Sequence, residues 1–234
     1  MPRFTFRYPA STIAGKLQLT AEDILLLRKH MFPNGVTSVE DAQQLLALHR
    51  AEQEKCAEWN NWFVETLAAF AVVHCHLQHA ATGPDAGWLI DILSPSGKIE
   101  TPAELELVLH VMEMADRVPD ALPAFALDQL CVALETGTGA YASIRGNKRL
   151  GIAAEDIEFI FRILRGSLFG GRMLLSKREV AVFDRIGALV HDRVNHPAWK
   201  SLTQSIAVRS PDGHVSASPW LKMQVNDAAL DLAA

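Results

Sequence analysis

The sequence predicts an all-α fold, a helical bundle built from repeated helix-loop-helix units in two lobes. Signals that start a helix stand before apolar residues spaced three and four apart, as at residues 101–104, which precede Leu105, Val108 and Leu109. No stretch shows a convincing alternation of apolar and polar residues, the pattern typical of a strand. Short motifs also recur in the same order along the chain, and such recurrence indicates an internal repeat.

The composition is typical of a globular protein and argues against some partners. The chain has 234 residues, of which 49% are hydrophobic and 21% charged, so it can bury a sizeable core. The net charge of −5 gives no electrostatic reason to expect nucleic acid as a partner. Three separated cysteines indicate a reducing compartment, and no apolar run is long enough to span a membrane. We therefore expect a soluble, cytoplasmic protein.

The first helices are predicted from their start and stop signals. Thr20 is placed to cap a helix that has acidic residues in its first turn, and the Pro-Asn-Gly sequence at 33–35 stops that helix. Ser38 and Asp41 resemble a capping box at the start of the next helix. Residues 94–104 form a turn followed by a helix start, with a threonine cap, a proline and a glutamate in the order of a capping box.

A third helix between these two is predicted to supply the core of the first lobe. Its large side chains share a broad face. They are Trp59, Trp62, Phe63, Leu67 and Phe70. Trp88 and Trp199 are assigned to the core as well, because large aromatic side chains dominate packing energetics.

An internal repeat relates the two halves of the chain. Four matches occur in the same order, at spacings that grow from 133 to 138 to 140 residues. They pair 21–24 with 154–157, 38–41 with 176–179, Leu45 and Leu48 with Phe183 and Ile186, and 57–59 with 197–199. The predicted divisions of the chain are an N-terminal tail at 1–16, lobe 1 at 17–135, a glycine-rich linker at 136–151, lobe 2 at 152–208 and a C-terminal tail at 209–234.

The loops before two helices resemble those of a known family. Residues 34–38 followed by Asp41, and residues 96–99 followed by Glu104, each combine a glycine loop, an extended residue, a cap and an acidic third helical position. This pattern resembles the TerB-like helical proteins of tellurite resistance. The resemblance implies a compact bacterial helical bundle with EF-hand-like helix pairs that bind no calcium. It also implies a link to stress response, and favours a non-enzymatic interaction or scaffold module that binds a protein partner or a second copy.

Several kinds of site are disfavoured by the residues themselves. Neither glycine loop has the carboxylates that an EF-hand needs to hold calcium. The Gly-rich residues 137–142 follow a helix rather than a strand, so a flexible linker is favoured over a dinucleotide site. The chain has no nucleophile elbow and no Walker loop. We therefore expect no enzyme activity and no cofactor.

The densest cluster of metal-type ligands gives an alternative function. Cys75, His76 and His79 fall close together on one side of a helix, where they could bind zinc or a similar ion. A further ligand would have to come from elsewhere in the chain, for example His110 or Asp85. The simpler interpretation is a helix end at which histidines complement the helix dipole. The alternative function is a metal-binding stress protein.

Uneven charge suggests where a partner binds. Residues 91–135 hold nine acids and two bases, whereas residues 145–178 hold eight bases and three acids. The simplest interpretation is solvated helix faces, and the sharper one is that a basic surface meets an acidic lobe or an anionic partner. Arg162, Arg165 and Trp220 are the predicted contacts to a protein partner or to a second copy in a homodimer.

Overall fold

The protein is mostly helical, which confirms the predicted class. The computed structural model describes residues 10–75, 86–146, 151–169, 172–209 and 215–217. The helices are α1 (Ala10–Ile13), α2 (Ala21–His30), α3 (Val39–Arg50), α4 (Ala57–His74), α5 (Gly87–Leu93), α6 (Pro102–Met114), α7 (Ala121–Thr136), α8 (Ala140–Arg145), α9 (Ala154–Ile163), α10 (Lys177–Val190) and α11 (Ala198–Gln204), with one 3-10 turn at Arg165–Ser167. In the described ranges, no helix is both long enough and apolar enough to cross a bilayer.

Short strands add to this helical frame and were not predicted. They are β1 (Gln18–Leu19), β2 (Glu54–Lys55), β3 (Leu168–Phe169), β4 (Arg172–Leu175), β5 (Ile206–Arg209) and β6 (Val215–Ala217). β1 pairs parallel with β2, and the other four form a sheet in the order β3-β4-β5-β6. Strands of two to four residues are too short to show a period of two, so the alternation test does not detect them.

The chain divides into two compact units, Met1–Pro119 and Asp120–Ala234, which are called unit 1 and unit 2 below. The boundary predicted at residues 136–151 lies inside unit 2. Gly137 has a positive φ of 64° and ends α7, and Gly139, with a φ of 89°, stands just before α8. These glycines therefore separate two helices of one unit, since a positive φ costs glycine little.

The core of unit 1 lies where α4 packs along α6. Trp59 and Phe63 are fully buried from α4, and Val108 is fully buried from α6. The core of unit 2 lies where α10 packs along α7, with Leu130 and Ile186 fully buried. The assignment of Trp59 and Trp199 to the core is confirmed, since both are buried, while Trp62 and Trp88 are half-buried.

The predicted helix caps are confirmed. The side chains of Thr20, Ser38, Thr101 and Ser176 each accept a hydrogen bond from the backbone N–H three residues later. Each such cap is worth about 1 kcal/mol of stability. The carboxylates at the third helical position after Thr20, Thr101 and Ser176 are almost fully buried, although neighbouring residues of the same helix starts are exposed.

Candidate interaction groove

An open groove of about 520 Å³ lies between α2 and α4 in unit 1. We call it the α2–α4 groove. One wall is formed by Leu25, Arg28 and Lys29 of α2, and the other by Trp62, Glu65 and Thr66 of α4. The loop that follows α2 completes the lining with Phe32, Pro33 and Gly35. The groove therefore brings apolar, cationic and anionic side chains together on one open surface.

The loop after α2 is held in place by its own backbone. The N–H groups of Met31 and Phe32 both donate to the Leu27 carbonyl, at 2.9 and 2.8 Å, which is a closure typical of a helix end. The N–H of Gly35 then donates to the Phe32 carbonyl at 3.0 Å, and Gly35 has a φ of +77° that favours glycine. The tight turn buries Phe32 and sets its ring 6.2 Å from the ring of Trp62.

Trp62 rests on a buried polar network. Its ring meets the edge of Trp59 at a centroid distance of 5.3 Å. The indole N–H of Trp59 donates to Nδ1 of His49 at 3.1 Å, so the other ring nitrogen of His49 carries the proton. That nitrogen, Nε2, donates to the Thr101 hydroxyl at 2.9 Å, and the imidazole stacks on Phe63 at 4.0 Å. The groove wall is therefore tied through α4 and α3 to the start of α6.

The protonation state of His49 follows from this burial. Burial first, and then the positive charges of Lys55 and Arg50, lower the pKa of the His49 imidazole to about 4. The ring is therefore neutral at pH 7, as the hydrogen bond it accepts from Trp59 requires. Next to it, Arg50 is joined to the fully buried Glu104 by a hydrogen bond of 2.6 Å. Both ring nitrogens of His49 and the Arg50 guanidinium therefore have hydrogen-bond partners within unit 1, and the network supports the groove wall.

The α2 wall carries two exposed cations. Arg28 and Lys29 are exposed, and neither forms an ion pair with another residue in the described parts of the chain. Their place in the last turn of α2 complements the helix dipole. Interaction with the helix dipole alone does not explain why both cations also line the same groove as Trp62. Leu25 is 62% exposed on the same wall, and Leu26 is 41% exposed next to it.

An exposed stripe continues the groove along α4. Three residues of α4 follow Trp62 at distances of four, seven and eleven positions, namely Thr66, Ala69 and Val73. At these spacings all four side chains lie on one face of the helix. Ala69 and Val73 are exposed, and Trp62 and Thr66 are half-buried. At about 1.5 Å per residue the stripe is about 17 Å long. A face of this kind can accept an elongated ligand.

The predicted metal ligands fall at the limit of the described chain. Cys75 is buried at the C-terminal cap of α4, where its N–H donates to the Ala71 carbonyl. His76 and His79, and the suggested further ligand Asp85, lie outside the described residues. Within the described ranges, no group of three or more His, Cys, Asp or Glu side chains is arranged to hold a metal ion. The metal site stays a prediction.

The predicted partner contacts lie in unit 2. Arg162 is half-buried near the end of α9, and Arg165 is exposed at the start of the 3-10 turn. Phe161, which precedes Arg165 by four positions and follows Glu158 by three, is 48% exposed. Trp220 lies outside the described residues. The exposed ring of Phe161 was not singled out from the sequence.

The groove residues were missed because their signal is indirect. Ile24, Leu25, Leu26 and Leu27 are four consecutive apolar residues in a helix, and they span about 300° of its circumference. No single packed face can cover that arc, so some of these side chains must be exposed. The structure buries Ile24 and Leu27 and leaves the two leucines between them at the surface. A basic turn directly after such a run is the sequence signal that could have located the groove.

Comparison with known proteins gave no match. No protein-family model matches the chain, and no curated protein or solved structure matches it either. The chain is mostly helical and has two compact units, the first of which carries an open groove lined by apolar and charged side chains.

Proposed function

We propose that this protein is a non-enzymatic interaction module of the TerB-like kind, and that the α2–α4 groove binds a protein partner. The observation that carries this proposal is an exposed groove in which Trp62 and Leu25 lie beside Arg28 and Lys29, two cations that form no ion pair within the described residues. Tryptophan and arginine are the side chains that most often dominate the binding energy of an interface. The support beneath Trp62 keeps this wall in place, so little ordering cost is paid on binding.

We also propose that units 1 and 2 contain copies of one helical repeat. Two equivalent backbone hydrogen bonds support this. The N–H of Cys56 donates to the Leu19 carbonyl at 3.1 Å, and the N–H of His196 donates to the Ile152 carbonyl at 2.8 Å. Leu19 and Ile152 are 133 residues apart, and Cys56 and His196 are 140 apart, the two spacings that the sequence matches have at these places.

Buried carboxylates give the repeat further support. α2 and α9 each have ten residues and carry a fully buried aspartate at the third position. Asp23 pairs with Lys16, and Asp156 pairs with Arg145 at 2.9 Å. In both helices a basic residue from the preceding segment neutralises the acid that caps the helix start.

The repeat relates the predicted partner contacts of unit 2 to residues of unit 1. At a spacing of 133 residues, Arg162 corresponds to Lys29 and Arg165 corresponds to Phe32. Both therefore correspond to residues that line the α2–α4 groove, with Arg162 near the end of α9 and Arg165 at the start of the 3-10 turn. The equivalent of the long α4 is α11, which has only seven residues, so the stripe found along α4 has no counterpart of that length.

The test is site-specific photo-cross-linking in extract of the source cells. Benzoylphenylalanine replaces Leu25 in the groove or, as a control of similar exposure, Leu168 of unit 2, which is 58% exposed. We expect a discrete adduct at position 25 that is absent at position 168 and lost when Trp62→Ala is added. The same adducts at both positions, or no adduct at position 25, would contradict a binding role for the groove.

A further inference from the structure

We propose that the occupant of the α2–α4 groove is an acidic amphipathic helix of another protein, with apolar side chains facing Trp62 and carboxylates facing Arg28 and Lys29. This inference rests on the proposed function and names the class of partner.

The charges of the groove are divided between its walls. Arg28 and Lys29 lie on the α2 wall with His30 directly after them, and Glu65 lies on the α4 wall. No ion pair joins Glu65 to either cation within the described chain, so binding does not have to break one. Carboxylates of the occupant therefore belong on its α2 side. A basic or neutral polar group belongs on its α4 side, since a carboxylate there would face Glu65.

The apolar stripe sets the size of the occupant. The face from Trp62 to Val73 is about 17 Å long, which equals about three turns of helix. An amphipathic helix presents apolar side chains at the same spacing of three and four, so it can lie along α4 and use Leu25 as the opposite edge. A single small ligand would use only the Trp62 end and leave Val73 uncovered.

Nucleic acid fits this surface less well. A phosphate backbone presents charge of one sign along its whole length, whereas this groove offers two lysine or arginine side chains and places Glu65 opposite them. An acidic helix instead matches both the local cations and the apolar stripe.

The first experiment measures binding of designed peptides to the full chain by fluorescence anisotropy. The probe is a labelled 14-residue helix-forming peptide with leucine at positions 2, 6, 9 and 13 and with glutamate and alanine elsewhere. One comparison peptide has lysine in place of glutamate, and a second has serine in place of leucine. We expect the glutamate and leucine peptide to bind at least about tenfold more tightly than either comparison, because it alone satisfies both charge and burial.

Charge reversal of the groove assigns the binding to these residues. Arg28→Glu/Lys29→Glu should weaken binding of the glutamate peptide at least about tenfold, because two attractive charge interactions become repulsive. The same variant should bind the lysine peptide more tightly. The matched control is Lys177→Glu/Arg178→Glu, which makes the same change in net charge at an exposed pair in unit 2. The control should bind both peptides like the wild-type chain. A milder variant, Arg28→Gln/Lys29→Gln, repeats the test if the reversed one folds poorly.

The apolar contacts are tested in the same assay. Leu25→Ser should weaken binding of the glutamate peptide. Leu168→Ser, at a position of similar exposure, should leave this binding unchanged. Equal weakening by both serine variants, equal binding of the glutamate and lysine peptides, or equal loss in both charge-reversed pairs would overturn the proposal.

Two further outcomes separate this inference from the proposed function. A cross-link at position 25 combined with no binding of the glutamate peptide would leave the groove as a protein-binding site and refute the acidic class of partner. A mass of two chains by light scattering, reduced to one chain by Arg28→Glu/Lys29→Glu, would show that the occupant is a second copy and would overturn the assignment to another protein.

Discussion

Acidification should destabilise this protein through His49, and the size of the effect follows from the buried network. In the folded chain the pKa of His49 is about 4, while the ordinary value that applies to the unfolded chain is 6.5. The unfolded state therefore takes up a proton first as the pH falls. The stability that comes from keeping this ring neutral is complete above pH 6.5, declines as the pH falls from 6.5 towards 4, and then stays constant.

The magnitude can be calculated from the two pKa values. Between pH 7 and pH 5 the difference in proton uptake by His49 lowers the free energy of unfolding by about 2 kcal/mol. The structural cause is specific, because a proton on Nδ1 would remove the acceptor for the indole N–H of Trp59. The loss is a large fraction of the stability of an ordinary domain, which is about 5 to 15 kcal/mol.

The assay is urea denaturation of the wild-type chain and of His49→Gln at pH 7 and pH 5, followed by circular dichroism. Other groups also titrate in this interval, so only the difference between the two proteins reports on His49. The wild-type chain should lose about 2 kcal/mol more than the variant. His30→Gln removes an exposed histidine outside the network and serves as the control. An equal loss of stability in the wild-type chain and His49→Gln would refute the reasoning.

Three other changes test the fold and the metal hypothesis. Gly35→Ala should cost about 1 kcal/mol in urea denaturation, because the φ of +77° is unfavourable for alanine while no atom lies near the added methyl. Arg145→Ala should cost about 3 to 5 kcal/mol in the same assay, because it leaves the fully buried carboxylate of Asp156 without its cation. If the cysteine–histidine segment binds zinc, elemental analysis should find about one ion per chain in the wild type and none in His76→Ala/His79→Ala, as expected for loss of two ligands.

The helix starts could be predicted because their causes are local. At Thr20, Thr101 and Ser176 the cap and the acidic third position lie within four residues of each other, and the structure places the expected hydrogen bonds there. The parallel pairing of β1 with β2 joins residues 36 apart, such as Gln18 and Glu54. Neither strand contains a sign of the other, so the pairing could not be predicted.

The groove could not be predicted from the sequence for a related reason. The sequence shows that Leu25 is apolar and that Arg28 is charged, but not that both face Trp62 across an opening. That depends on how α2, the loop around Gly35 and α4 pack together, which brings residues distant in the sequence to one opening. Trp62 itself was assigned to the core from its spacing, and it is half-buried, because one side of its ring rests on Trp59 while the other lines the groove.

The separation between the groove and its support has a consequence for how such a protein diversifies. Leu25, Arg28 and Lys29 are exposed and take no part in the His49 network, so substitutions there leave the stability of unit 1 nearly unchanged. If the groove binds a partner as proposed, a small number of mutations on one turn of α2 can change the partner that is bound without changing the fold of unit 1. Selection for new partners and selection for folding would then act on different residues of the same helix pair.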